Sequence, residues 1–520
     1  MRSLNFCILA NLLALAPGLG SGQARAAELL RGPYLQNAAP DGITIRWRTD
    51  VATASQVLFG RRKTDFPSSA SDFDLKTDHE VRLSGLLPNK RYYYAVGSTN
   101  QTLAAGSDCS FVTSPVPGTP KPTRVWVIGD SGGFSAPYSD GDYGNPMDVR
   151  TAYYEYAGSQ PTDVWLVLGD NAYDSGTDLE YQKGFFNVYP SMLRQTVPWS
   201  TIGNHDIYSV PPGELLPYLQ LFSFPMNGES GGVASGTERY YSFDHGNIHF
   251  ICLDSMTQSR ATNGAMADWL RADLATTSNQ WMIAFWHHPP YSKGSHNSDL
   301  PHEVETIEMR QNILPILEEG GVDLVLNGHS HNYERSYLLR GHYGNSTNFS
   351  PEMILDEGNG REHDTGAYIK PTSGPLANQG TVYIVAGNAS HVEDARYGHH
   401  PAMFTDELQT GSLVLEINSN RLDAVFLRET GAIDDAFTII KGSPAPLRLC
   451  TFIIQNGKII TRWKSIRGQS YRLERTEIGQ MPDWQPASDT VVAIGATTSW
   501  TNDMPAGTIA NFYRVTQLAP

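Results

Sequence analysis

Between residues 123 and 428 the chain repeats one arrangement, a short apolar run followed at once by a polar cluster. Val125-Trp-Val-Ile, Val164-Trp-Leu-Val-Leu, Trp281-Met-Ile-Ala-Phe-Trp and Val322-Asp-Leu-Val-Leu have the length and composition of strands, and stretches at 265–276 and 304–319 read as amphipathic helices. This alternation calls for a layered α/β domain. The five clusters are Gly129-Asp130-Ser131-Gly132, Gly169-Asp170-Asn171-Ala172-Tyr173, Gly203-Asn204-His205-Asp206, His287-His288-Pro289-Pro290 and Gly328-His329-Ser330-His331. Ligands gather at the carboxyl ends of strands in such folds, so these strand ends can converge on one site. A glycine opens four of the five clusters, which suits a tight turn or a close approach of two backbones.

The residues at these ends share a chemistry. Carboxylate, amide and phenol oxygens with imidazole nitrogens, and no cysteine, suit hard to borderline cations and speak against a cysteine-based structural zinc site. A carboxylate such as Asp170 can bridge two cations, and a pair roughly 3.5 Å apart can hold the attacking and leaving oxygens of a displacement at phosphorus. Each residue alone has a plainer reading: Asp130 or Asp170 can cap a helix, Asn204 can make a turn, and Tyr173 can pack. Compatible donors at every strand end argue jointly for a site. His245 and His249 alternate within a strand pair at 241–254 and read as ordinary sheet residues, while His391, His399 and His400 lie in loop sequence and stay outside the expected site.

Residues 27–116 are strand-like: Ile43-Thr-Ile-Arg-Trp-Arg alternates, and Leu83-Ser-Gly-Leu-Leu-Pro-Asn-Lys-Arg-Tyr-Tyr-Tyr turns into another strand, as in a β-sandwich. Ser114-Pro-Val-Pro-Gly-Thr-Pro-Lys-Pro is a stiff linker, and Gly442-Ser-Pro-Ala-Pro is a second. The expected division is an export signal at 1–26, a β-domain at 27–116, the α/β domain at 122–440 and a small carboxy-terminal β-sandwich at 446–520. Arg2, the apolar stretch at 6–15 and Ala24-Arg25-Ala26 form the signal and imply a secreted or periplasmic product. That stretch is too short to span a bilayer, and no membrane span is expected elsewhere. Signal removal leaves Cys109, Cys252 and Cys450, an odd and scattered set that makes no disulfide framework. A formal charge of -16 without a long Lys/Arg run argues against binding to a nucleic-acid backbone, so attraction for an anionic substrate must come locally from bound cations. The sequence sets no oligomeric state.

In order and spacing the clusters resemble the calcineurin-like metallophosphoesterase superfamily. Tyr173, three residues after Asp170, and Gly328-His-Ser-His-Asn-Tyr-Glu-Arg335 narrow the resemblance to the purple acid phosphatases over residues 30–428. Gly32-Pro33-Tyr34-Leu35-Gln36 and the strands around it resemble the fibronectin type III-like amino-terminal domain of the larger members. The resemblance implies an αββα sandwich catalytic domain with a binuclear centre: Asp130, Asp170, Tyr173 and His331 on Fe(III), and Asp170, Asn204, His287 and His329 on divalent zinc, manganese or iron, with Asp170 as the bridge. It implies an acid phosphatase that hydrolyses small-molecule phosphate monoesters by direct attack of a metal-bound hydroxide, with no covalent phosphoenzyme. His205 would contact phosphate and assist the leaving group. His296, nine residues beyond His287, is carried over as a phosphate contact, and His288 is a further substrate-binding candidate. Glu334 and Arg335 are expected to brace the loop that holds His329 and His331. Hydrolysis of phosphodiesters or nucleotides is the alternative activity. The alternative class is a binding module working through the flanking β-domains, since the tail loosely resembles accessory domains that attach to a surface or polymer.

Overall fold

A computed structural model of the chain describes residues 26–133, 146–374, 376–393, 397–442, 449–465, 470–477, 484–493, 497–503 and 511–518. The export signal read at 1–26 lies outside these residues except for its last position, and most of the second linker lies outside them too.

Two seven-stranded sheets build the α/β region. The first runs in the order Tyr368–Lys370, Ile433–Lys441, Arg421–Arg428, Gly411–Asn418, Thr123–Ile128, Val164–Val167, Pro198–Ser200, and its last three strands are parallel. The second runs Met403–Glu407, Tyr333–Ser336, Val382–Ala386, Leu324–Asn327, Trp281–Phe285, Ile248–Cys252, Tyr241–His245, with a parallel centre from Val382–Ala386 to Ile248–Cys252. Strand periodicity divides the apolar side chains between two cores. Ile283, Phe285, Leu324, Leu326, Val382 and Ile384 pack with Val125, Val127, Leu413 and Leu415 of the other sheet. Their neighbours Ala284, Val325, Tyr383 and Val385 pack instead with Met266, Leu270, Leu314 and Leu317 of the helices. Strands covered on both faces are apolar throughout, which is why the sequence shows runs rather than alternation. On the outer face of the first sheet, the helix Pro146–Ala157 stacks Tyr153 on Trp126 at 4.3 Å. The order of layers is therefore helix, sheet, sheet, helix.

The helix expected at 265–276 forms as Ala265–Thr276. The one expected at 304–319 is continuous but widens into a π-helical turn, Met309–Ile313, between Val304–Glu308 and Leu314–Glu319. Pro315 favours the widening, because its ring has no N–H and would collide with the Gln311 carbonyl of a regular helix. The turn contains Arg310, fully buried, which donates to the carbonyls of Pro290 at 2.9 Å and Ser298 at 2.7 Å and so fixes the loop that carries His296.

The amino-terminal strands form one five-stranded sheet in which the long strand Gly42–Gly60 leaves Leu29–Ala39 and takes up Arg91–Ser98 along its length. This sheet docks on the α/β region through polar contacts. Tyr34 donates to the Leu221 carbonyl at 2.7 Å, while Arg31 and Arg48 grip Asp178 at 3.0 and 2.8 Å. Asp178 opens a short helix whose capping box, Thr177 with Glu180, also receives the backbone N–H of Asp174 on Glu180 at 2.9 Å. The segment just after Tyr173 is thereby anchored from outside the α/β layers. Among the described carboxy-terminal residues a three-stranded and a four-stranded sheet enclose a separate small core of Trp463, Tyr471, Leu473, Ala493 and Val515. Cys109 and Cys252 are buried free thiols. Among the described residues no helix is long and apolar enough to cross a membrane.

Candidate metal centre

Asp130, Asp170, Asn204, His287 and His329 each follow the carboxyl end of a strand, Thr123–Ile128, Val164–Val167, Pro198–Ser200, Trp281–Phe285 and Leu324–Asn327 respectively. The chain turns sharply there. Asp130, Asp170 and His329 have φ of 54, 50 and 70°, a left-handed conformation that costs a non-glycine residue energy and is held by the packing around it. The preceding glycines answer a different need. A Cβ on Gly203 would lie 2.1 Å from Asp170 Oδ1, and one on Gly328 would lie 2.4 Å from Asp130 Oδ1.

The donor atoms fall into two groups that share one oxygen. Tyr173 Oη stands 3.0 Å from Asp130 Oδ2, 2.9 Å from Asp170 Oδ2 and 3.4 Å from His331 Nε2. Across the site, Asn204 Oδ1 stands 3.0 Å from both His287 Nε2 and His329 Nδ1, and His287 Nε2 is 3.4 Å from Asp170 Oδ2. With cation–donor bonds of about 2.1 Å, neighbouring donors in octahedral or tetrahedral coordination sit about 3.0–3.4 Å apart, so the spacing and chemistry of these groups fit two cations bridged by Asp170.

The atoms left over are tied down. Asp170 Oδ1 accepts from the His205 N–H at 2.9 Å, Asp130 Oδ1 from the His329 N–H at 2.8 Å, and His287 donates from Nδ1 to the Leu168 carbonyl at 2.8 Å. His331 Nδ1 lies 3.0 Å from Glu393 Oε1, and His329 Nε2 lies 3.5 Å from Glu303 Oε2. Partners of this kind fix ring orientation and tautomer in metal sites.

Electrostatics separates the groups. Burial together with Asp130 and Asp170 holds the Tyr173 phenol well above its usual range, so its proton leaves only for a highly charged cation. Burial opposes charge on His287, yet the carboxylates of Asp170 and Asp130 raise it to about 9. Burial likewise opposes charge on His331, but Asp130 and Glu393 raise it to about 9. His329 is lowered to about 3 by burial and then by neighbouring His296. Asp206 is raised to about 6 by burial and by Asp170. It is a brace, accepting from Gly203 N at 2.8 Å, Asn171 N at 3.0 Å and Tyr181 Oη at 2.7 Å.

His205 holds Nδ1 2.7 Å from the Asp174 carbonyl, beside Tyr173 with ring centroids 4.4 Å apart. His296 is 37% exposed, stacks on His329 at 3.7 Å, and has Nδ1 2.9 Å from Glu303 Oε1. His288 lies differently from a substrate contact: it is 4% exposed, Nδ1 is 2.9 Å from Ser255 Oγ, and its ring packs against His329 at 4.3 Å. Burial between these neighbours makes it a support for His329. Glu334 takes the Lys293 N–H at 3.1 Å, tying down the loop before His296, whereas Arg335 turns away to Asp435 at 2.9 Å.

Three residues outside the expected site stand at it. Glu303 and Glu393 back the two histidines of the His329-Ser330-His331 turn, and His391 lies 3.9 Å from His331 between ring centroids. Glu393 and His391 follow Val382–Ala386, so the strand-end rule extended to one more apolar run points to them. Glu303 immediately precedes the helix Val304–Glu308 and has no such signal. His399 pairs with Asp406, and His400 is buried beside Tyr291 and His342.

Comparison with known proteins places these features in context. The calcineurin-like phosphoesterase family matches residues 123–333, and the purple acid phosphatase N-terminal domain matches residues 32–114. Purple acid phosphatase 15 of Arabidopsis thaliana is 29% identical over 321 residues, 54% of this chain and 56% of that protein. Purple acid phosphatase 22 of the same plant is 26% identical over 359 residues, 64% of this chain and 72% of that protein. The chain thus spans little more than half the length of the first of these relatives. In fold it is similar to a purple acid phosphatase from yellow lupin (Lupinus luteus) seeds, with a TM-score of 0.61 at 18% identity over 79% of this chain and 74% of the lupin chain.

Proposed function

Because the chain belongs to the purple acid phosphatase family of calcineurin-like phosphoesterases, we propose that it is a metal-dependent acid phosphatase acting on small-molecule phosphate monoesters. The observation that carries this reading is the pair of donor groups sharing Asp170 Oδ2. Bound cations there supply positive charge for phosphoryl oxygens and acidify water. The group of Asp130, Asp170, Tyr173 and His331 brings three anionic oxygens once Tyr173 is ionised and suits Fe(III). The group of Asp170, Asn204, His287 and His329 brings one, and suits divalent zinc, manganese or iron.

The remaining work belongs to the protein. His205 keeps a proton on Nδ1 through the Asp174 carbonyl, so Nε2 is the nitrogen that can carry the second proton. As the bond from phosphorus to the leaving oxygen breaks, that proton passes from Nε2 to the oxygen, and the imidazole returns to neutral. His296, aligned by Glu303, presents its exposed edge to a phosphoryl oxygen, and His288 keeps His329 in place from behind.

We further read residues 1–26 as an export signal, the amino-terminal sheet as a fibronectin type III-like module that holds the Tyr173 segment, and the carboxy-terminal strands as an attachment domain. Hydrolysis of 4-nitrophenyl phosphate beside bis(4-nitrophenyl) phosphate, from acidic to alkaline pH, tests the substrate class. The monoester is expected to turn over faster with an acidic optimum; a diester preference would overturn the monoesterase reading.

A further inference from the structure

The turn that carries Asn204 and His205 ends at Tyr208, for which neither the metal nor the substrate assignment has a use. Its side chain is 57% exposed, whereas Tyr173 is 9% exposed. The 3-10 turn His205–Ile207 brings residues 204 and 208 together, and the Tyr208 hydroxyl accepts from Asn204 Nδ2 at 3.1 Å. The ring meets His205 edge on, with centroids 5.3 Å apart.

Both contacts have consequences. An asparagine amide has an oxygen end and a nitrogen end of nearly equal shape, and only the oxygen has lone pairs for a cation. Asn204 directs Oδ1 at the nitrogens of His287 and His329, and its other end donates to Tyr208. A hydroxyl can donate as well as accept, so the cation selects the oxygen end of the amide, since reversal would point N–H groups at the cation position. With Oδ1 so directed, the hydrogen bond from Nδ2 to the Tyr208 hydroxyl fixes where the amide lies and how its plane is turned. The exposed ring, meanwhile, is carbon surface next to the imidazole that faces the leaving group.

We propose that Tyr208 is both a positioning residue, whose hydroxyl holds Asn204 Oδ1 toward the second cation, and a specificity residue, whose ring receives the organic part of an aryl phosphate. The second half rests on the phosphatase reading; the first half does not. Aromatic contacts of this kind contribute about 0.5–1.5 kcal/mol, a factor of about 2–10 in affinity.

The test uses the full chain loaded with metal, as wild type, Tyr208→Phe and Tyr208→Ala. Zinc retained per chain is followed against a chelator series, and KM is measured for 4-nitrophenyl phosphate and glycerol 2-phosphate. Tyr208→Phe should hold zinc about 10-fold less tightly, as for loss of other groups that orient a ligand, while its ratio of aryl to alkyl KM stays at the wild-type value. Tyr208→Ala should show the same loss of zinc and raise that ratio about 5-fold. Wild-type zinc retention in Tyr208→Phe would overturn the positioning half, and an unchanged ratio in Tyr208→Ala would overturn the specificity half. If the loaded wild type hydrolyses neither ester, the phosphatase reading and the specificity half both fall, and the chelator series still decides the positioning half.

Discussion

His329 and His331 are two residues apart, yet they reach the centre in opposite ways. His329 offers Nδ1 to a side made of an amide, imidazoles and the shared carboxylate of Asp170, and His331 offers Nε2 to a side made of two carboxylates and a phenol. Each leaves its other nitrogen to a carboxylate that lies beside a second histidine, Glu303 with His296 and Glu393 with His391. The backing is alike, but the electrostatic outcome is not. Burial disfavours charge on both rings. On His331 the acids Asp130 and Glu393 prevail and raise it to about 9, while on His329 the neighbouring His296 adds to burial and lowers it to about 3. One short turn of sequence thus serves two environments, one demanding high positive charge and the other tolerating less.

The change expected to matter most removes the group common to both sides. Asp170→Ala should lose both cations and reduce turnover on the order of 10³-fold or more, read by metal content and by kcat. Substituting the backing acids separates the sides. Glu393→Gln should weaken cation binding by about 10–100-fold on the Tyr173 side alone, and Glu303→Gln by a similar factor on the Asn204 side alone, seen in a two-step metal titration. If either variant weakened both steps equally, the two sides would not be independent. Tyr173→Phe sharpens the charge argument: on loading with Fe(III), the visible phenolate-to-iron absorption expected of the wild type should be absent from the variant, while the affinity of the Asn204 side stays within about 3-fold.

The smallest expected effect concerns an acid-clamped histidine outside the centre. His249 sits 2.8 Å from both Asp244 and Asp273, and although burial opposes its charge these acids raise it from 6.5 to about 9. A folded-state value above the unfolded one stabilises below pH 6.5 and is lost as pH rises through 9. The Tm deficit of His249→Gln, measured on metal-free protein, should be full at pH 6, shrink as pH rises from 6.5 to about 9, and be least above that. A deficit constant with pH would mean that the acids do not hold His249 protonated, and would weaken the same account of His331.

Much of this was legible in the sequence because buried parallel strands announce themselves as apolar runs and their ends carry the polar clusters. Asp130, Asp170, Asn204, His287 and His329 are of that kind. Glu303 was not, since it reaches His329 across the fold from a loop with no periodicity. His288 could not be oriented from sequence because it stands next to a metal-facing histidine and before Pro289, and only the contact with Ser255 and the burial against His329 decide its direction. The helical period at 304–319 was readable, whereas the π-helical turn that lets Arg310 reach the His296 loop depends on packing as well as on Pro315. In the amino-terminal sheet the strands could be read but not the change of partner along Gly42–Gly60, which depends on register rather than on residue type.

The measurement that bears most directly on the shared centre is calorimetric titration of metal-free protein with Fe(III) and zinc, for wild type and Asp170→Ala, with hydrolysis of 4-nitrophenyl phosphate followed on the same samples. The account predicts two cations per wild-type chain, activity that appears only when both are bound, and neither cation held by Asp170→Ala. Full activity with a single cation, or an Asp170→Ala chain that still binds two, would contradict it.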